Sequence, residues 1–266
     1  MLNLPNLKSA LRNHPRWFRL YDRFRRNTLR LLPAPDYRQI HDLAAVPAAL
    51  PRVCFQRPAA SVEGWLTDDE ATALYVLARM TAGSSMEIGA WLGRSTICLA
   101  RGLIDGGNPT SLLSCELAPT PENFRETKPG WVGFFYPANH LVSMGDCPVW
   151  EFELGIKPVI SRPGGILGQL ETNLREANVR DQVQLRVGDF RCAPSKPFDL
   201  VFCDAMHGEV ETARNGPDLK RFLQPNSLLA CHDSDAGTAA ILKRYFLFSE
   251  EVMIDSLFIG RIREVR

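Results

Sequence analysis

The sequence has no uninterrupted apolar run near the roughly 18 residues that a membrane-spanning helix needs. Net charge is also nearly absent: 31 Lys and Arg stand against 30 Asp and Glu, leaving +1 and no overall basic field for nucleic acid. The seven cysteines are odd in number and form no C-x-x-C, which argues against a disulfide framework or a structural zinc site. Cys98, Cys115, Cys203 and Cys231 lie in apolar runs, where a thiol behaves as a small hydrophobe. Arg12, Arg16 and Arg19 interrupt what would have to be the apolar core of a signal peptide. The expectation is a reducing, cytoplasmic location. What remains, 45% hydrophobic and 23% charged over 266 residues, is the composition of one large globular domain or one domain with additions.

The balanced total hides an asymmetry. Residues 1–32 carry eight basic side chains, from Lys8 to Arg30, against Asp22 alone, a local charge of +7. Trp17, Phe18, Tyr21 and Phe24 are mixed among them, so this segment reads as a basic amphipathic helix. Such a helix either packs its aromatics on the body or lies on an anionic membrane surface. Five prolines in residues 33–62 mark a connector. The division expected is an N-terminal extension over 1–62 and a main domain over 63–266.

At Thr67 the signals sharpen. Thr67-Asp68-Asp69-Glu70 has the spacing of a capping box, and Ala71, Leu74, Tyr75, Leu77 and Ala78 follow at helical period. Five short apolar strands are expected near 84–88, 111–115, 183–187, 199–203 and 227–231. Helical patterns fall at 94–104, 165–178, 210–223 and 237–247. Alternating strands and helices predict an α/β fold, a doubly wound, mostly parallel sheet covered on both faces. Glu251–Asp255 and Leu257–Arg263 leave no room for a crossover helix, so they should pair antiparallel at the C-terminus.

In an open parallel sheet, ligands bind beyond the carboxyl ends of the strands. There the sequence places Glu87 and the loop Gly89-Ala90-Trp91-Leu92-Gly93, then Glu116, Asp189, Asp204 and Asp233, so an acid ends or follows each strand. Gly89 and Gly93 permit a tight turn into a helix that Ser95 or Thr96 could cap. The G-x-x-x-G spacing lacks the pyrophosphate-binding turn of G-x-G-x-x-G, which counts against a dinucleotide. Carboxylates in these positions suit an amine, a ribose diol and an exocyclic amino group, and would repel a bare polyphosphate.

Met86-Glu87-Ile88-Gly89-Ala90-Trp91-Leu92-Gly93-Arg94-Ser95-Thr96, the run Phe198 to His207 ending D-x-x-H, and Leu228 to Asp233 ending H-D resemble the class I S-adenosylmethionine-dependent methyltransferases. Among these the chain is most similar to the small-molecule and sugar O-methyltransferases. The resemblance covers about residues 62–263 and implies S-adenosylmethionine as cofactor. It implies that Gly89, Ala90, Gly93 and Ser95 line the methionine part, with Glu87 orienting that loop or the cofactor's amino group. Glu116 would receive the ribose hydroxyls and Asp189 the adenine amino group. Asp204, also expected among the cofactor-binding and catalytic residues, and Asp233 stand where catechol-type relatives hold a divalent ion such as Mg²⁺, with Ser234 or Asp235 as a third oxygen ligand. His232 departs from the acid found there in some sugar methyltransferases and leaves the metal open. On its own residues His232 reads rather as a group ordering the loop. His207 stands where such relatives place a lysine base, and a neutral imidazole there could take the acceptor's proton.

Residues 118–162 are far too long for an ordinary strand-to-helix loop, and Phe124, Trp131, Phe134, Phe135, Tyr136, Trp150 and Phe152 fall within them. That aromatic content predicts an ordered inserted lid, which either packs on itself or a partner subunit or walls the pocket of a small-molecule acceptor. The insertion and the N-terminal helix are also two candidate homodimer contacts. Competing readings are a nucleotide-dependent Rossmann enzyme of another kind and a binding protein that kept the fold without the chemistry.

Overall fold

The protein is described by a computed structural model covering residues 42–50, 59 and 61–266. The basic amphipathic segment of residues 1–32 and Cys54 lie outside the described residues. Helix α1 spans Asp68–Met80 and starts with the expected capping box: Thr67 Oγ accepts from the Glu70 amide, and the Glu70 carboxylate accepts from the Thr67 amide. The main sheet then alternates with helices as the periodicity requires. Strand β1 is Ser85–Ile88, helix α2 Arg94–Asp105 and strand β2 Leu112–Glu116. After an insertion come α3 (Gly165–Glu176), β6 (Val183–Val187), β7 (Leu200–Cys203) and α4 (Glu209–Leu219). The chain closes with β8 (Leu228–Cys231), α5 (Ala236–Tyr245) and the hairpin β9 (Phe246–Ile254) and β10 (Leu257–Val265).

The seven strands lie in the order β6-β2-β1-β7-β8-β10-β9. The first five run parallel, while β10 pairs antiparallel with both β8 and β9. This is the doubly wound, mostly parallel α/β sheet with the antiparallel C-terminal pair that the sequence predicts. Both faces are buried, so successive side chains enter opposite cores. Leu200, Phe202, Leu228 and Ala230 join Leu74, Leu77, Leu99 and Leu103 of α1 and α2 on one face. Val201, Cys203, Leu229 and Cys231 join Leu219, Phe222 and Leu242 on the other. Cys98, Cys115, Cys203 and Cys231 thus act as small core residues, and six cysteines are free thiols among the described residues.

The insertion is a second, three-stranded antiparallel sheet, β3 (Phe124–Lys128), β4 (Trp131–Phe134) and β5 (Gly145–Pro148), followed by short helical turns over 149–160. Stacked Phe134, Phe124 and Phe152 hold it together, with ring centroids 5.2 and 5.1 Å apart, and Val132, Phe152, Val159 and Ile160 tie it into the main core. None of the described helices is long and apolar enough to cross a membrane.

Candidate active site

The ladder continues one residue past each parallel strand and so aligns the functional residues along one edge. Gly89 donates to the Cys115 carbonyl, Gly188 to Glu116, Asp204 to Ile88 and His232 to Cys203, at 2.8–3.0 Å. Gly89 must be glycine for a specific reason: with φ of +89°, a Cβ there would lie 2.6 Å from the Asp204 carbonyl oxygen. Two neighbouring loops can meet this closely only without that side chain.

Two carboxylates organise the β1–α2 loop, and they do different work. Glu116 accepts from the Ala90 and Trp91 amides through Oε2 and from the Ala118 amide through Oε1, at 2.7–2.8 Å. It thereby holds Trp91, a non-glycine residue at φ +49°, in the left-handed region. Burial raises its pKa against the lowering effect of those three donors. Glu87 points inward from β1, where the hydroxyls of Ser95, Thr96 and Ser114 donate to it at 2.6–2.7 Å. Complete burial pushes its carboxyl up to about 7 despite those hydrogen bonds. One expectation is corrected here: neither Ser95 nor Thr96 caps α2, whose N-cap is Gly93, because both hydroxyls are drawn to the buried carboxyl. Glu87 and Ser95 therefore support the loop from beneath.

Asp189 accepts from the Arg191 amide at 2.8 Å and pairs with its guanidinium at 2.9 Å. Arg191 also reaches Asp218 and Asn215, and Asn215 donates to the Ala205 carbonyl, so the β6 end is tied to the loop after β7.

At the β7–β8 end, Asp204, His232 and Asp233 bring one ligand atom each within 4.8 Å of one another. His232 Nδ1 lies 3.0 Å from Asp204 Oδ1 and 3.5 Å from Asp233 Oδ1. Its Nε2 faces Glu70 Oε2 at 3.5 Å. Asp233 adopts φ +53°, a left-handed turn that Asp tolerates better than most residues. Ser234 and Asp235, expected as further oxygen ligands, are engaged elsewhere. Ser234 Oγ donates to the Cys231 carbonyl, and Asp235 caps α5 by accepting from the Thr238 amide. The third donor in the cluster is His232.

His207 stands beside this cluster, with 56% of its side chain exposed. Its Nε2 is 3.9 Å from both Asp204 and Asp233, while Nδ1 lies 3.0 Å from Glu211 Oε2. Burial opposes charge on each ring, yet the surrounding carboxylates prevail: Glu211, Asp204 and Asp233 push His207 up to about 9, and Asp204 and Glu70 push His232 up to about 10. The near-neutral imidazole expected at 207 is thus corrected to a basic one. Burial likewise works against charge on Glu70, but His232 and the Ser256 and Thr67 donors hold its carboxyl down at about 2.

Two participants escaped sequence reading. Glu70 was legible as the last member of a capping box, but nothing in that spacing says the same carboxylate also reaches His232. Glu211 lies four residues after His207, the separation of facing helix positions, and that spacing was the available signal. The insertion leans over both ends of the site. A Cβ on Gly145 would lie 2.8 Å from Glu211 Oε1, and one on Gly188 would lie 4.0 Å from the Tyr136 hydroxyl.

Comparison of the sequence with curated proteins finds no match. Among solved structures, the chain is similar to cofactor-bound Rv0187 from MTB, at 18% identity over 86% of this chain and 94% of that one, with a TM-score of 0.46. It is similar to the O-methyltransferase TomG from Streptomyces achromogenes in complex with SAM, at 16% identity, 85% and 92% coverage and a TM-score of 0.46. The SAH-bound Podospora anserina methyltransferase PaMTH1 is similar at 12% identity, 92% and 96% coverage and a TM-score of 0.49. A family model for a methyltransferase domain matches residues 86–234, from the start of β1 through the turn after β8. With more than half of its length so matched, the chain belongs to the methyltransferase-domain family.

Proposed function

We propose that the protein transfers a methyl group from S-adenosylmethionine to a hydroxyl of a small hydroxylated molecule or sugar. The observation that carries this reading is the meeting of Glu116, Asp189, Asp204, His207 and Asp233 along one sheet edge, beside a glycine loop pinned by Glu116. The donor set fits the cofactor's parts. Glu116 Oε1 accepts a single bond, from the Ala118 amide, and keeps capacity for ribose hydroxyls. Asp189 would take the adenine amino group, and the Gly89–Gly93 backbone would follow the methionine part. When bound, the cofactor supplies an electrophilic methyl on a sulfonium, whose positive charge suits an edge of carboxylates.

The acceptor oxygen must be held about 3–3.5 Å from the methyl carbon and in line with its bond to sulfur. His207 Nε2 takes the hydroxyl proton, and Glu211 steadies the ring at Nδ1. Asp204 and Asp233 would hold a divalent cation, which would supply positive charge beside the acceptor oxygen. The insertion closes over the acceptor and keeps out water.

Calorimetric titration with S-adenosylhomocysteine, with and without Mg²⁺, tests the cofactor assignment. Micromolar binding is expected, and Glu116→Ala should weaken it by about 1–3 kcal/mol, through lost ribose bonds and a loosened Ala90–Trp91 turn. Absence of binding up to millimolar ligand would remove the methyltransferase reading.

A further inference from the structure

We propose that the β7–β8 cluster is a mixed nitrogen–oxygen centre for a borderline divalent transition metal, with His232 Nδ1 as ligand beside Asp204 and Asp233 and Glu70 as the carboxylate that orients the ring. This deepens the proposed function and rests on it for the presence of a cation at that place.

The argument begins with spacing. Ligand atoms bound about 2.0–2.2 Å from a metal at right angles to one another lie about 3 Å apart. His232 Nδ1 is 3.0 Å from Asp204 Oδ1 and 3.5 Å from Asp233 Oδ1, and one ligand atom from each of the three residues lies within 4.8 Å of the others, so two edges of one face of such a polyhedron are close to the spacing a metal needs. His207 Nε2 lies farther off, 3.9 Å from both carboxylates, on the solvent side.

The second argument is the fixity of the ring. His232 is 3% exposed and Glu70 1%, so neither side chain has room to swing. Glu70 is itself clamped by the Thr67 amide, the Ser256 amide and the Ser256 hydroxyl, each at 2.7 Å. A carboxylate so held gives the Nε2 proton a fixed acceptor and leaves Nδ1 facing the cluster, the arrangement that tunes metal-bound histidines from the outer side. Glu70 comes from α1, outside residues 86–234, so the group facing Nε2 is supplied by a different part of the chain from the three proposed ligands.

The third is donor chemistry. Ser234 Oγ is turned to the Cys231 carbonyl and Asp235 Oδ1 to the cap of α5, and the ligand atoms that gather are those of Asp204, His232 and Asp233. An imidazole in their place favours Mn²⁺, Fe²⁺, Co²⁺ or Zn²⁺ over Mg²⁺.

The test is titration of chelator-treated full-length protein with Co²⁺, read by calorimetry and by the visible absorption of the bound ion. Saturable binding at micromolar Co²⁺ is expected, with a roughly thousandfold excess of Mg²⁺ failing to displace it. Bound Cu²⁺ should give nitrogen hyperfine structure in its electron paramagnetic resonance spectrum, lost in His232→Asn. Glu70→Gln should weaken Co²⁺ by about 10–100-fold. His232→Asn leaves the Glu70 cap intact and carries the test if the Glu70 variant loses its native circular dichroism. No Co²⁺ binding up to about 1 mM, or equal binding by His232→Asn, overturns the proposal. S-adenosylhomocysteine affinity measured on the same samples separates the two readings. If it is retained while Co²⁺ binding is absent, only the metal centre falls. If it is lost in the unmodified protein, the proposed function falls as well.

Discussion

A carboxyl sealed between a sheet and a helix is a measurable quantity at the residue scale. Glu87 has its pKa raised from 4.5 to about 7, so its burial is cheap while it is protonated and costly once it ionises. The contribution is fully present below about 4.5, is lost as pH rises to about 7, and is flat above that, with an amplitude of about 3 kcal/mol. Chemical denaturation at pH 5 and pH 8 should show this loss in the unmodified protein and a smaller one in Glu87→Gln. An identical pH response in both would mean that Glu87 is not the titrating group. His207 makes a second prediction, since a base must be deprotonated to act. In the absence of added divalent cation, methyl transfer to an acceptor found by screening small diols and sugars should rise with pH toward about 9. The limb should vanish with the activity in His207→Ala, while S-adenosylhomocysteine affinity stays unchanged. Full activity in that variant would exclude His207 as the base. The positions of these residues were legible because they follow strand ends, but their proton affinities were not. Those depend on which carboxylates surround each ring, and Glu70 and Glu211 come from other elements.

Elements are fastened to one another here by capping groups that serve twice. Glu70 closes the N-terminal turn of α1, receives Ser256 from the β9–β10 turn, and faces His232 after β8. Its pKa, held down at about 2, makes its contribution present above about 4.5 and lost as pH falls toward 2. Glu70→Ala should destabilise the fold by about 3–5 kcal/mol at neutral pH, because it strands buried donors and an imidazole beside Asp204. Thermal melts at pH 7 and pH 3 test this, and the difference between variant and parent should shrink in acid. An equal difference at both pH values would show that the carboxylate's charge is not what matters. The capping box itself was readable from Thr67 and Glu70, because its partners are three residues apart. The bond to Ser256 spans the sequence from α1 to the last hairpin, and no local pattern reports it.

For the molecule as a whole, the insertion is the element packed beside the proposed site. It meets the main domain at Gly145 of β5, against Glu211, and at Tyr136 of the β4–β5 loop, near Gly188. Gly145→Ala should displace the Glu211 carboxylate, loosen His207 and lower turnover about tenfold, with little effect on the melting temperature. Gly155→Ala is the control within the same insertion, since a Cβ there meets nothing within 4 Å. Equal turnover in the two variants would detach the insertion from the chemistry. The aromatic content of residues 118–162 already implied an ordered lid, while its β-structure and points of contact did not follow from composition.

The amino-acid sequence alone determined the parallel sheet, the antiparallel terminal pair, the capping box and the edge along which the strand-end acids gather. Each of these is written in local periodicity or in residues a few positions apart, and burial of both sheet faces leaves such a pattern little freedom. Only the tertiary structure decided which acids work together. It turned Glu87 and Ser95 inward, put His232 in place of Ser234 and Asp235, and brought Glu70 and Glu211 to the two histidines. The physical reason is that a charge interacts across a few ångströms of space, whereas the groups it meets can lie far apart in the chain, as Glu70 and Ser256 do at a separation of 186 residues.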